Sequence, residues 1–387
     1  MQGEEKYRTA GFNEIALIYG TCELSFRKAA ALINRHRYQE EDGTPHRTIQ
    51  NITESEGSKI GMYIEQKSET ILKKHNFSHE PIDKEEAIEQ YTPLVSPIKI
   101  EESINIIDEF EIIASLKDQI AKNPVPYESA GQVVNISIDD VGVKEQKETR
   151  NKKKRQEDIL ESGSELKKRK YVQNTVVHIE HKNKCYILNG YGIFYVLHLL
   201  IAFLIHNELY DHHLVFFVDG HGLYSKVLQC FYWHKKLLIV LDWYHLKKKC
   251  KELLSMAVHG RKIRNEVLDK LLPLLWHGLV DEAINYLKSI ESGNIRNKKE
   301  IDHLISYLEK NRAMIPAYSV RRAMGLGNSS NRGEKANDLV VAHRQKNNGM
   351  SWSRAGSVSL ASITALARNN EYHRWFEDGE IEFKLAS

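Results

Sequence analysis

Cysteine is scarce in this chain. There are four among 387 residues, at positions 22, 185, 230 and 250, and no two form a C-x-x-C pair. Neither a zinc knuckle nor a dithiol redox motif is therefore supported. Reduced thiols in a cytoplasmic protein are the expectation. A long hydrophobic run is also missing. The longest apolar stretch, Tyr191–Ile205, is interrupted by His198 and is short for a bilayer crossing, so it reads as a buried helix. The opening MQGEEKYRTA carries no signal-peptide pattern. Net charge is nearly absent too: 55 basic residues stand against 52 acidic ones, giving +3. No global field then drives the chain onto nucleic acid, and only local basic clusters can do so. Export, membrane insertion and a disulfide framework all lack support.

What is present fits a globular protein long enough for two or three domains, with 41% hydrophobic and 28% charged residues. Two short apolar runs organise the middle, Leu214–Val218 and Leu237–Leu241, and each stops at an aspartate, Asp219 and Asp242. Runs of this kind read as strands covered on both faces. Ligands gather at the carboxyl ends of such strands. A plainer role for either aspartate is to cap the next helix.

Taken in order, residues 8–75 read as a small helical unit. Thr9–Tyr19 predicts one helix and Ser25 caps a second. Thr44 as N-cap with Pro45 in the first turn predicts a third, ending near Gly57. Arg47, Gln50 and Asn51 near its start are suited to phosphates and base edges, in the manner of a helix-turn-helix. The Arg35–Gly43 connection is longer than that motif's tight turn. Residues 76–130 read as a linker carrying one amphipathic helix, Glu102–Ile120, suited to dimerisation. At Val133 alternation begins, and VVNISIDDVGVKEQ predicts a strand holding Asp139 and Asp140. A basic segment, Lys147–Lys170, follows. TVVHIEH and NKCYILNG predict two more strands joined at His181-Lys182-Asn183. The apolar helix, the strand to Asp219, a helix and the strand to Asp242 complete a β-β-β-α-β-α-β order, that of an RNase H-like domain. Residues 245–318 carry only helical spacing. GLGNSSNRG then leads to Glu334, expected at the start of a helix running to about Gly349. A final helix is expected over Ser353–Phe376.

SIDDVGVKEQ, VFFVDGHG with LDWYH, and EKANDLVVAHRQKNNGMSW, in this order and with helices between the last two, resemble the DDE transposases of bacterial insertion sequences. The likeness is to the Mutator-like branch with a helical insertion and a D-x-x-H motif, and it covers roughly Val133–Asn370. It implies an α/β fold: an RNase H-like catalytic domain interrupted by an all-helical insertion, after an N-terminal helix-turn-helix-like DNA-binding unit. The implied boundaries are 1–75 for that unit and 76–130 for the linker. The core follows at 131–248, the insertion at 249–318 and the rest of the core at 319–387.

Asp139, Asp219 and Glu334 match the family's catalytic triad, and Asp242 with His245 matches its D-x-x-H pair. Three hard oxygen ligands suit Mg²⁺, as two ions with Mn²⁺ able to substitute. Lys247, Lys248, Arg344 and Lys346 are read as phosphate contacts. Asp140 points away from Asp139 if the strand alternates. The implied activity is cleavage at the element's terminal inverted repeats and strand transfer into target DNA. A homodimer or higher oligomer on DNA, in the bacterial cytoplasm and on the nucleoid when bound, goes with it; no membrane does. Another RNase H-like nuclease, or an inactive transposase-derived DNA-binding protein, is the alternative.

Overall fold

The computed structural model describes residues 9–21, 24–38, 43–78, 80–91, 102, 104, 117–121, 127–128, 132–146, 170–346 and 350–385. The Lys147–Lys170 segment, except for Lys170, most of the Glu102–Ile120 helix and Gly349 lie outside the described residues.

A five-stranded mixed sheet forms the centre, and the chain is a mixed α/β protein. The strands are β1 (Val133–Lys144), β2 (Tyr171–His181), β3 (Lys184–Gly190), β4 (His213–Val218) and β5 (Leu237–Leu241). Their order across the sheet is β3-β2-β1-β4-β5. β1, β2 and β3 form an antiparallel meander, whereas β4 runs parallel to β1 and β5 parallel to β4. The hairpin between β2 and β3 turns on Lys182 and Asn183, both with positive φ (48° and 66°). That conformation matches the right-handed twist of the flanking strands.

β4 and β5 are buried along their whole length, as continuous apolar runs require. One face of β1, with Val134, Ile136 and Ile138, packs into the main core beside the Ile193–His206 helix. The other face carries Asn135, Ser137 and Asp139. This division follows from the two-residue period of a strand. After β5 the chain is helical, through Trp243–Ala257, Gly260–Trp276, Val280–Lys288, Lys298–Asn311 and Tyr318–Ala323. Among the described residues no helix is long and apolar enough to cross a membrane.

The N-terminal helices depart from expectation. Ser25 does cap the second helix, accepting from the Lys28 N–H. The third runs His46–Lys74, straight through Gly57. Gly57 is there for packing rather than termination. A Cβ built on it would stand 2.3 Å from the carbonyl oxygen of Ser359, so only glycine lets this helix approach the Arg354–Arg368 helix. The N-cap is Pro45, not Thr44; the Thr44 N–H is held instead by Asn34 Oδ1 at 2.7 Å.

Residue 75 is no boundary of the core. Ile49, Ile52 and Ile60 share an apolar cluster with Ile363, Leu366 and Tyr372, and Ile71 and Leu72 enter the main core. The expected C-terminal helix is two, Arg354–Arg368 and Tyr372–Asp378. The break falls at Asn369 and Asn370. Asn369 binds both the N–H and the C=O of Ile187 on β3, and Asn370 adopts φ 60°. A polar residue that satisfies a strand's backbone competes with continuing the helix.

Candidate active site

Asp139 lies in the middle of β1, Asp219 just past β4, and Glu334 in the Asn331–Asn337 helix. All three line one small cleft, of about 10 Å³, together with Ser137, Phe217, His245, Ser330 and Gly333. Glu334 does not begin its helix, as expected, but sits in its first turn. Gly333 brings that turn against the sheet: a Cβ there would meet the Ser137 Cβ at 2.3 Å. The continuous helix expected beyond Glu334 contains a π-helical stretch, Asp338–Ala342, before His343–Gln345. The wider turn resets which residues face inward. Asp338, one turn beyond Glu334, is exposed, while Val341 and Gln345 are buried.

Asp140 is exposed and takes the Thr175 hydroxyl at 2.5 Å on the face opposite Asp139. Asp139 is half-buried, and its Oδ2 accepts from Asn337 Nδ2 at 2.5 Å. Burial pushes the Asp139 carboxyl above the usual range. The Asn337 amide opposes this, and the nearby Asp219 charge adds to it.

Asp242 is buried, with 1% exposure, and is fully engaged. It caps the Trp243–Ala257 helix by accepting the His245 N–H at 2.9 Å, and it takes the Ser330 hydroxyl at 2.9 Å and the Ser330 N–H. Burial raises its pKa, but these bonds more than offset that and leave it below the ordinary carboxylate value. His245 Nδ1 stands 3.3 Å from Asp242 Oδ1, close enough for attraction but outside hydrogen-bond geometry. On the other side His245 Nε2 is 3.5 Å from Glu334 Oε1. The Asp242 carboxylate is the main cause of a raised histidine pKa; burial opposes it, and Glu334 and Asp219 add to it. The D-x-x-H pair thus ties the end of β5 to the loop before Glu334 and sets an imidazole against Glu334.

A buried ion pair fixes the same loop. Arg321 and Glu128, both with no exposed side-chain surface, make a bidentate contact at 2.5 and 2.6 Å. Arg321 also binds the Gly327 carbonyl at 2.7 Å and Asn328 Oδ1 at 3.2 Å. The sequence reading missed Arg321, Glu128, Asn337 and the packing role of Gly333. The only local hint was that Arg321 falls at three- and four-residue spacing from Ala317, Tyr318 and Met324.

Arg344, expected to reach phosphate, is buried at 3% exposure. Its guanidinium lies 5.1 Å from the Phe26 ring centre and 5.2 Å from that of Trp352, so it joins the N-terminal helices to the C-terminal part. Lys247, Lys248 and Lys346 are exposed. Arg47 and Asn51 are exposed as well, while Gln50 is half-buried and donates to Glu54 Oε1 at 2.8 Å.

Among the described residues no three His, Cys, Asp or Glu side chains are drawn together closely enough to hold a metal ion. Asp139 is turned to Asn337, and Glu334 to His245. The donor set is nevertheless of one chemical kind, three carboxylates around one cleft, and hard oxygens suit Mg²⁺. The mutual repulsion of Asp139 and Asp219 is what a cation would relieve.

The model of an uncharacterised protein family, UPF0236, matches residues 101–380, and the chain belongs to that family. No curated protein and no solved structure matches it.

Proposed function

We propose that this chain is a DNA transposase of the DDE kind, which cuts at the ends of an insertion sequence to leave 3′-hydroxyls and joins them to target DNA. The observation that carries the reading is the convergence of Asp139, Asp219 and Glu334, from three separate elements, on one cleft. The sheet order β3-β2-β1-β4-β5, antiparallel and then parallel, supports the RNase H-like reading. The all-helical stretch between β5 and Glu334 stands where the insertion is expected.

Asp139, Asp219 and Glu334 would hold Mg²⁺, or Mn²⁺ in its place. Two such ions supply charge stabilisation for both the attacking and the leaving oxygen of a phosphodiester. The chain's own residues position this set. Asn337 fixes Asp139, the His245 imidazole stands against Glu334, and Asp242 with Ser330 anchors the loop before Glu334. Lys247 and Lys248, exposed on the helix that Asp242 caps, face solvent where a phosphate backbone can dock. Arg47 and Asn51 remain available for terminal-repeat DNA, whereas Arg344 does not. Two element ends in one reaction call for at least a dimer.

The test uses duplexes taken from the DNA that flanks the gene on either side. Asp139→Asn, Asp219→Asn and Glu334→Gln should each lose cleavage and strand transfer by at least about a thousandfold while still binding DNA. Asp338→Asn should remain active. An active Glu334→Gln enzyme refutes the assignment.

A further inference from the structure

Beside the carboxylate cleft lies a larger cavity, of about 320 Å³, that the chemistry above does not use. Its floor is the polar face of the sheet: Asn135 and Ser137 on β1, His178 and Glu180 on β2, with Phe217 of β4 as an apolar wall. Ser137 and Phe217 line the carboxylate cleft as well, so the two spaces adjoin. Asn135 is four residues before Asp139 on the same strand face, about 13 Å away, and Ser137 is half that distance. Arg332 closes the cavity from the Asn331–Asn337 helix and is paired with Glu180.

The lining selects against an anion. Glu180 is itself a carboxylate, the rim cation Arg332 is already paired with it, and burial keeps His178 below the ordinary histidine range, which favours the neutral imidazole. What the cavity offers is the primary amides of Asn135 and Asn331, a neutral imidazole, the hydroxyls of Ser137 and Ser329 and an aromatic edge. Asn135 Oδ1 is buried with no hydrogen-bond partner among the described residues. Such an atom costs stability unless water or a ligand satisfies it. A planar heteroaromatic ring with donors and acceptors along one edge matches this lining, and the volume lies within the range of small-molecule sites.

We propose that this cavity receives one unstacked nucleobase of the DNA strand whose phosphate sits at the carboxylate cleft. The inference rests on the transposase reading, since it needs DNA at Asp139. A base drawn out of the stack into a side pocket would fix the register of the strand at the reacting phosphate.

The experiment uses the full chain and terminal-repeat duplexes in which each position near the cut is replaced in turn by fluorescent 2-aminopurine. One position should brighten severalfold when the wild type binds. That rise should vanish in Asn135→Leu, which should also cut about tenfold more slowly, as loss of a hydrogen bond to a base predicts. An abasic nucleotide at the same position should restore the cutting rate of the variant towards that of wild type. Asn135→Leu should melt no lower than wild type, because it removes an unsatisfied polar atom; a merely structural Asn135 would give a lower melting temperature and no base-specific rescue. Glu180→Gln, which keeps the shape of the rim, should weaken the same signal. If the wild type cuts DNA and no position brightens, or if the rise persists in both variants, the pocket proposal falls while the transposase reading stands. If the wild type neither binds nor cuts any of these duplexes, both fall.

Discussion

β4 and β5 are neighbouring parallel strands, each fully buried, and each ends in an aspartate, yet the two carboxylates have opposite fates. Asp242 is 1% exposed and spends its oxygens on His245 and Ser330. Asp219 is exposed, and among the described residues no hydrogen bond reaches its side chain. The helix after Asp219 starts from Gly220 without a side-chain cap, whereas the helix after Asp242 is capped by Asp242 itself. An aspartate at a strand end is thus either a structural joint or an available ligand. The number of protein partners it has already taken tells which.

The largest effect that sharpens this contrast is its double dissociation. Asp219→Asn should abolish cleavage and leave the melting temperature within error. Asp242→Ala should cost about 2–4 kcal/mol of stability, the sum of a lost cap and an orphaned Ser330 N–H, read by urea titration. If Asp219→Asn proves the destabilised variant, the contrast is broken.

Gly333→Ala should come next. Overpacking against Ser137 should cost about 1–3 kcal/mol and displace Glu334, so activity and stability fall together. Ser137→Gly in the same chain should recover part of both, measured as a double-mutant cycle.

A smaller effect separates the aspartates by pH. Asp242 has a folded pKa below its unfolded value, so its stabilising contribution is complete above about pH 4–5. It is lost as pH falls through the depressed folded value. Melting temperature followed downward from pH 5 should therefore drop less steeply in Asp242→Asn than in wild type.

The smallest effect belongs to Asp140. Its one side-chain bond, from the buried Thr175 hydroxyl, is partly buried, and an asparagine Oδ1 can still accept it. Asp140→Asn should change stability by under about 1 kcal/mol and keep cleavage within about twofold, in contrast to Asp139→Asn. A dead Asp140→Asn with a live Asp139→Asn would overturn the assignment of Asp139 and move it to the other face of β1.

The strands were legible because burial imposes a period the sequence must carry. Leu214–Val218 and Leu237–Leu241 can only be covered strands, and alternation along Val133–Lys144 already separated Asp139 from Asp140. Ser25 was legible for the same local reason, since a cap satisfies N–H groups within three residues. Gly57 misled because a glycine in a helical pattern signals a stop, and nothing nearby reveals Ser359 pressing on it from far along the chain. Arg344 misled in the same way: a basic residue looks solvent-facing until Phe26 and Trp352 close around it.

By itself, then, the sequence determined the order of strands and helices, the two faces of β1 and the identity of the acids that stand at strand ends, because period and capping act over a few residues. Only the tertiary structure decided which acids share a cleft, that Gly333 brings Glu334 to the sheet, and that Arg321, held by Glu128, clamps the loop at Gly327 and Asn328. Those contacts join residues far apart in the chain. Their energies depend on desolvation and close packing, which exist only once the layers have met.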